Sequence, residues 1–321
     1  MGGDGDERLL ADIGGTSVRF ALQRPGGRPT RIAVLETGDY PGLTEAVTAY
    51  EDRCGGVRPR GGAFCVASPV TGDVVSMTNA PWVFSISETR RALGLDRLAV
   101  VNDFTAVAHA VPHLRADDLV RIGGGEVEPR AAVGVLGPGT GLGTSGLIPA
   151  GAGWTVLEAE GGHVTMAPAD EREDAVLAQL RRRFGHVSAE RVVSGDGLVN
   201  LYTALADIDG IEPRQIAPHQ VSDDALAGRC PICAEALSMF FAMLGTLAGN
   251  LALILGSHGG VYLAGGILPR MPEALIASQF RSRFEAKGRF RDYLGRIPTL
   301  LITAELPAFI GLAGILDRQE G

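Results

Sequence analysis

LLADIGGTSVRFAL, residues Leu9–Leu22, sets two short apolar runs on either side of Gly14-Gly15-Thr16. Apolar runs of this length joined by a glycine turn predict a strand–turn–strand unit over Arg8–Ile13 and Val18–Leu22. Asp12 closes the first strand, and the two glycines after it let backbone N–H groups approach an anion closely. The same residues also suit a plain hairpin in which Asp12 serves only its own local hydrogen bonds. The pattern returns once, where the runs Ala131–Leu136 and Thr144–Ile148 flank the glycine loop Gly137–Gly143 (GPGTGLG). A strand–glycine turn–strand opening each half, followed by mixed strands and helices, predicts a two-domain α/β chain. The halves share a pattern and no residue-level repeat.

Outward from these two hairpins, the first half predicts a strand at Thr30–Leu35, a helix at Leu43–Asp52 and a strand at Gly62–Ala67 that ends in Ser68-Pro69. The apolar strand Leu98–Val101 leads into a helical stretch from Phe104 to Pro112. Arg115–Arg130 is polar and rich in glycine, and reads as a crossing between domains. In the second half helices are expected at Glu171–Phe184, Gly195–Ala206, Asp223–Ala227 and Ala234–Leu255. Strands are expected at Val261–Ala264, ending in Gly265-Gly266, and at Thr299–Thr303, with a last helix at Ala308–Leu316. No charged residue falls between Ala236 and Pro269, and Met239–Gly256 is long enough to span a bilayer. Thr246, Gly249 and Asn250 interrupt that stretch, however, and no aromatic belt or Lys/Arg cluster flanks it. It reads as a helix buried on all sides, with Gly245-x-x-x-Gly249 allowing close packing, in a soluble, cytoplasmic protein with no membrane partner.

Composition removes several function classes. The net charge of the 321 residues is -8, which argues against a nucleic-acid partner, because phosphate neutralisation needs a basic face. Lys287 is the single lysine, against 28 arginines. That excludes a P-loop and the lysine-dependent protein-kinase site, and leaves Lys287 alone for any Schiff base. The opening residues 1–8 are acidic and lack the basic start of a signal peptide. Four cysteines, Cys54, Cys65, Cys230 and Cys233, are too few for a disulfide scaffold of this size. Cys230-Pro231-Ile232-Cys233 has half the spacing of a zinc site, but no second pair accompanies it, and it reads as an inert helix start.

Five segments carry chemistry. Beside the first turn stands Gly137–Gly143, which fails the dinucleotide fingerprint because Thr144 occupies the place of the third glycine and a strand follows. Glycines with a hydroxyl in a hairpin suit a nucleotide phosphate held by backbone amides. Asn102-Asp103 ends a strand, where either residue would make a helix N-cap. A carboxylate at that edge of an α/β sheet is also a candidate general base for a hydroxyl that attacks phosphorus. Glu160-Gly161-Gly162-His163, with Glu190 further on, offers two carboxylates and an imidazole suited to the adjacent hydroxyls of a polyol; the alternative is a satisfied turn. A strand ending in Gly265-Gly266 gives a flat backbone surface for adenine or ribose.

Together, in this order, the segments resemble the bacterial-type glucokinase family within the actin/hexokinase/Hsp70-like ATPase fold. The matching stretches are Leu9–Leu22, Cys65–Phe84 (CVASPVTGDVVSMTNAPWVF), Val101–Pro112 (VNDFTAVAHAVP), Gly137–Gly143, Glu160–Pro168 (EGGHVTMAP), Glu190–Tyr202 (ERVVSGDGLVNLY), Gly259–Arg270 (GGVYLAGGILPR) and Phe284–Phe290 (FEAKGRF). The resemblance implies a two-domain actin-like (ribonuclease H-like) architecture. Residues 1–113 with 304–321 would form a small α/β domain and residues 114–303 a larger α+β domain, with a cleft between them that closes on sugar. It also implies ATP- and Mg²⁺-dependent phosphorylation of the glucose 6-hydroxyl, and a homodimer. Carried over by motif, Asp103 is the base, and Asn102, Asp103, Glu160, His163 and Glu190 grip the sugar. Ser68 and Pro69 take the place of the hexokinase sugar loop. Asp12 organises Mg²⁺ through water, Gly14, Gly15, Thr16, Gly139, Thr140 and Gly141 hold phosphates, and Gly265 and Gly266 face adenosine.

Two positions depart from the family pattern. Ser17 stands where the first loop usually has Asn, and Pro138 where small residues are common. The kinase/repressor branch of the same superfamily carries a cysteine-rich zinc motif after the sugar-binding histidine, whereas Val164–Pro168 follow His163 here. A sugar-sensing regulator would need a DNA-binding segment, and 11 residues precede Asp12. A broader hexose kinase, acting on mannose or fructose, uses the same gripping residues.

Overall fold

The computed structural model describes residues 7–77 and 82–320, the side chains of residues 319 and 320 excepted. The acidic residues 1–6, and Thr78–Pro81 of the Cys65–Phe84 motif, lie outside the described residues. The chain divides into two compact units. One runs up to Arg115 and resumes at Ala304; the other is Ala116–Thr303.

In the first unit, alternation along β1 (Arg8–Ile13) sends Leu9, Ala11 and Ile13 into one core and Leu10 into another, on opposite faces of a sheet. β2 (Ser17–Gln23) and β3 (Thr30–Glu36) follow as antiparallel neighbours. Helix α1 (Leu43–Arg53) covers the Leu9 face, where Tyr50 stacks on Phe20 with ring centroids 5.1 Å apart. β4 (Gly61–Val66) then pairs parallel to β1. A small ribbon of β5 (Val74–Ser76) and β6 (Val83–Ser85) leads into α2 (Ile86–Ala92), which the sequence reading did not find. β7 (Arg97–Asn102) pairs parallel to β4, and α3 (Asp103–Ala110) leaves its end. The strand order is β3-β2-β1-β4-β7. On the Leu10 face, Ala106 of α3 packs with Phe309, Leu312 and Leu316 of the C-terminal helix Pro307–Glu320.

The second unit repeats that sheet. β9 (Val133–Pro138) pairs antiparallel with β10 (Leu142–Ala150), and β10 pairs antiparallel with β11 (Gly153–Ala159). β12 (Val261–Leu263) lies parallel to β9, and β13 (Thr299–Ile302) parallel to β12. The order β11-β10-β9-β12-β13 thus reproduces β3-β2-β1-β4-β7 strand for strand and polarity for polarity. β8 (Leu119–Gly123) is added at the edge, antiparallel to β13. Two expectations change here. Arg115–Arg130 is no bare crossing, because it contains β8. The segment Gly137–Gly143 is not a long loop either: Gly137 pairs with Gly143 and Pro138 with Leu142, leaving residues 139–141 as the turn. Glycines that lack side chains still have the backbone N–H and C=O that a ladder needs.

Helices α4 (Glu171–Phe184), α5 (Gly195–Ile208), α6 (Pro218–Leu226) and α7 (Pro231–Leu255) form the body of this unit. Helix α7 is long and apolar enough to cross a membrane, yet its Leu237–Leu244 stretch is buried throughout apart from Ser238 and sits among α5, α6 and the sheet. Three short helices follow β12: α8 (Pro272–Ala277), α9 (Phe280–Glu285) and α10 (Arg291–Arg296). Side chains on Gly245 and Gly249 of α7 would lie 2.2 and 2.5 Å from the carbonyl oxygens of Phe280 and Phe284, so these glycines let α9 lie against the helix backbone. The lone Lys287 is spent on the same contact, its Nζ donating to Asn250 Oδ1 at 2.6 Å and to the Thr246 carbonyl at 3.2 Å. Arginines do much of the tying elsewhere. Arg283 forks onto the buried Glu173 at 2.7 and 3.1 Å, and Arg172 bridges Asp209 and Glu235.

Candidate active site

In the first unit the site residues gather where β1, β4 and β7 end. These strands are parallel and in register, so Asp12, Cys65 and Val101 form one row across the sheet, and Ile13, Val66 and Asn102 the next. Open α/β sheets bind ligands beyond such carboxyl ends. Between the two carboxylates lies Cys65, fully buried, whose thiol donates to Asp12 Oδ1 at 3.5 Å. Burial, together with the negative charges of Asp12 and Asp103, pushes that thiol well above its ordinary pKa, so it stays a donor. Asp12 itself is raised by burial, against the opposing pull of the Cys65 thiol and of Arg19, whose Nη1 stands 3.6 Å away. A third of its side chain remains open.

After Asp12 the chain turns at Gly14, whose N–H donates to the Ser17 carbonyl at 2.9 Å. The tip is pinned from a distance by Thr37, a residue that sequence reasoning passed over. The buried Thr37 hydroxyl donates to the carbonyls of Gly15 (2.9 Å) and Thr16 (2.8 Å), and its N–H donates to the Thr16 carbonyl at 2.9 Å. With these carbonyls held inward, the Thr16 side chain is exposed at the turn. Ser17 opens β2, paired with Glu36.

Asn102 and Asp103 stand at the start of α3, as the local reading expects. Asn102 is the N-cap of α3, its Oδ1 accepting from Phe104 N (2.9 Å) and Thr105 N (3.3 Å). Its Nδ2 donates to the carbonyl of the buried Ser68 at 3.5 Å, which joins the Ser68-Pro69 turn to the helix start. Asp103 is the first residue of α3, and its Oδ1 accepts from Phe104 N at 2.8 Å. A negative charge there interacts favourably with the helix N-terminus.

In the second unit, Glu160 and His163 face each other across a 3₁₀ turn, Gly161–His163, with carboxylate and ring nitrogen 4.0 Å apart and both side chains more than half exposed. The turn rests on β10: Gly161 N–H donates to Thr144 Oγ1 at 2.7 Å, and a side chain on Gly162 would meet the Leu142 carbonyl at 2.1 Å. An antiparallel bridge, Thr165 to Ser188, brings Glu190 to the same place. There Glu190 Oε2 accepts the N–H of Leu142 at 2.8 Å, at the foot of the turn 139–141. A Cβ on Gly141 would lie 2.5 Å from the same oxygen. The candidate sugar residue and the candidate phosphate turn are therefore one structure. The other side of the turn is held by Gly195 N–H, which donates to the Gly139 carbonyl at 2.9 Å where α5 begins. Thr140 is exposed at the tip.

Gly265 completes this group. It follows β12 with φ +87°, and a side chain there would lie 2.3 Å from the Pro138 carbonyl, so only glycine seats the turn 139–141 against this segment. Gly266 beside it opens onto free space.

Two sheets of matching order, each with a glycine turn after its corresponding strand, β1 or β9, and carboxylates near the strand ends define a sugar kinase of the actin-like ATPase fold. A ROK family glucokinase from Streptomyces griseus in complex with glucose and AMPPNP shares that fold, with a TM-score of 0.64 at 19% identity, covering 98% of this chain and all of its own. The glucokinase family model matches residues 9–319, and the chain belongs to that family. A glucokinase from Paramagnetospirillum magneticum is 57% identical over 97% of this chain and 98% of its own length. One from Neisseria meningitidis is 48% identical over 98% and 96%. The crystal structure of a glucokinase from an Antarctic psychrotroph superimposes with a TM-score of 0.88 at 36% identity, over 98% and 99%. The chain also matches 49% of the length of the bifunctional protein glk of Paraburkholderia xenovorans, at 49% identity.

Proposed function

We propose that this chain transfers the terminal phosphoryl group of ATP to the 6-hydroxyl of D-glucose, giving glucose 6-phosphate and ADP. One observation carries the proposal: Asp12, next to last in β1, and Asp103, directly after β7, stand at the carboxyl ends of parallel strands of one sheet, on either side of a buried thiol that senses both charges. Asp103 takes the hydroxyl proton as oxygen bonds to phosphorus and the bond to ADP breaks. Asn102, Glu160, His163 and Glu190, with the Ser68-Pro69 turn, hold the sugar hydroxyls. A competing acceptor that lacks one leaves a polar group unpaired.

The backbone of Gly14-Gly15-Thr16 and Gly139-Thr140-Gly141 receives phosphate oxygens, and Gly265-Gly266 receive adenosine. Asp12 fits a hydrated Mg²⁺: a hard carboxylate oxygen, open to solvent on one side, directly before a turn with exposed Thr16. That ion supplies charge neutralisation on the phosphates. None of these contacts uses a lysine, which agrees with Lys287 being occupied in packing. Cytoplasmic location and a homodimer belong to the same proposal; the four free thiols agree with the first of these.

The test is sugar-phosphate formation measured across glucose, mannose, fructose, N-acetylglucosamine and no sugar, with ATP, polyphosphate or ADP as donor. Glucose with ATP is expected to give the highest kcat/KM. Sugar-independent or absent turnover would overturn the proposal.

A further inference from the structure

The pair Cys230 and Cys233 lies outside every residue used above, yet its geometry is that of a reactive dithiol. Cys230 is the N-cap of α7, and its sulfur accepts the N–H of Cys233 at 3.3 Å. Pro231 and Ile232 occupy the first helical turn, so the two cysteines stand one turn apart on the same edge of the helix. The Cys233 thiol turns back to donate to the Cys230 sulfur. Positions three apart at a helix start bring the Cα atoms within the range a disulfide needs. The two thiols are inequivalent. Cys230 is partly open to solvent, whereas Cys233 is buried, in the core of the unit.

Electrostatics sharpen the difference. Burial opposes the Cys230 thiolate, but the Cys233 thiol, the backbone N–H of Cys233, the nearby Arg214 and the N–H of Ile232 together outweigh it, and the pKa falls below the ordinary value. Burial and the neighbouring Cys230 push Cys233 up to about 12, which keeps it protonated. A partly open, activated sulfur with a buried partner behind it is the arrangement for attack and resolution.

We propose that Cys230 and Cys233 form a redox-active site that exchanges with small-molecule disulfides. The Cys230 thiolate attacks one sulfur of R–S–S–R, forming a mixed disulfide and releasing RS⁻. The Cys233 sulfur, losing its proton, then attacks the Cys230 sulfur and expels the second RS⁻. The two protein thiols are oxidised to one intramolecular disulfide and the small disulfide is reduced to two thiols, so atoms and electrons balance. Cys54, partly exposed, and Cys65, buried beside Asp12, have no second cysteine in sequence reach and would yield at most mixed adducts.

The experiment uses the full chain carrying Cys54→Ser, reduced, exposed to excess glutathione disulfide, quenched with an alkylating agent and read by intact mass and peptide mapping. The expected product has lost two alkylatable thiols, carries no adduct and yields a linked Cys230–Cys233 peptide. The Cys233→Ser variant should stop at a single glutathione adduct on Cys230, while Cys230→Ser should remain unmodified over the same time. Glucose phosphorylation by each reduced variant checks that it is folded. Retention of both thiols in excess disulfide would overturn the proposal, as would adduct formation at Cys233 ahead of Cys230.

Discussion

At the residue scale, the candidate site works by giving single groups two duties. Glu190 closes the turn 139–141 through Leu142 N–H and is also a candidate sugar ligand. Asn102 caps α3 and tethers the Ser68 turn. Glu160 differs: it makes no capping bond, and its carboxylate is more than half exposed beside His163. Glu160→Gln is therefore expected to leave the fold intact and raise KM for glucose by roughly tenfold, the order of one charge-assisted hydrogen bond. Steady-state kinetics with thermal melting checks this, and an unchanged KM would make the turn structural. The sequence offered candidate residues because carboxylates beside glycines, as at Asp12 and Glu160, are conspicuous. It could not show their second contacts. Thr37 reaches Gly15 and Thr16 from 21 to 22 positions away, and no local pattern marks a threonine for that.

At the element scale, the central claim about the base depends on how α3 is seated. The C-terminal helix crosses it so closely that a Cβ on Gly311 would lie 1.8 Å from the Ala106 carbonyl. Gly311→Ala must push the two helices apart, at a cost of about 1–3 kcal/mol. Denaturant unfolding should show the loss, accompanied by a fall in kcat as the start of α3 shifts. Unaltered stability would mean that the contact is looser than the structure shows. Central strands were legible because they are buried on both faces and read as continuous apolar runs, as in β4 and β9. The edge strands β8 and β11 were not, since Arg121, Thr155 and Glu158 break their apolar runs and a glycine lies at one end of each. The extent of the 139–141 turn was hidden for a related reason: glycine composition signals a turn even where the backbone continues a ladder.

At the scale of the whole molecule, the repeated sheet order explains why two glycine turns of different sequence occupy equivalent places, one after β1 and the other after β9. The same closing of the chain onto itself makes stability depend on acid. His109 of α3 is held down to about 4 by burial, by Arg318 of the C-terminal helix, which it contacts, and by His113. Its folded pKa lies below the unfolded 6.5. The contribution is thus complete above pH 6.5 and is lost as pH falls towards 4, with a size on the order of 2 kcal/mol. Melting temperatures of wild type and His109→Gln should converge as pH falls across that window, and parallel curves would contradict the assignment. The proposed reaction rests on Asp103. The direct measurement is kcat of Asp103→Asn alongside glucose binding by calorimetry: turnover should drop by several orders of magnitude with binding still measurable, whereas near-wild-type turnover would contradict Asp103 as the base and with it the phosphoryl-transfer account.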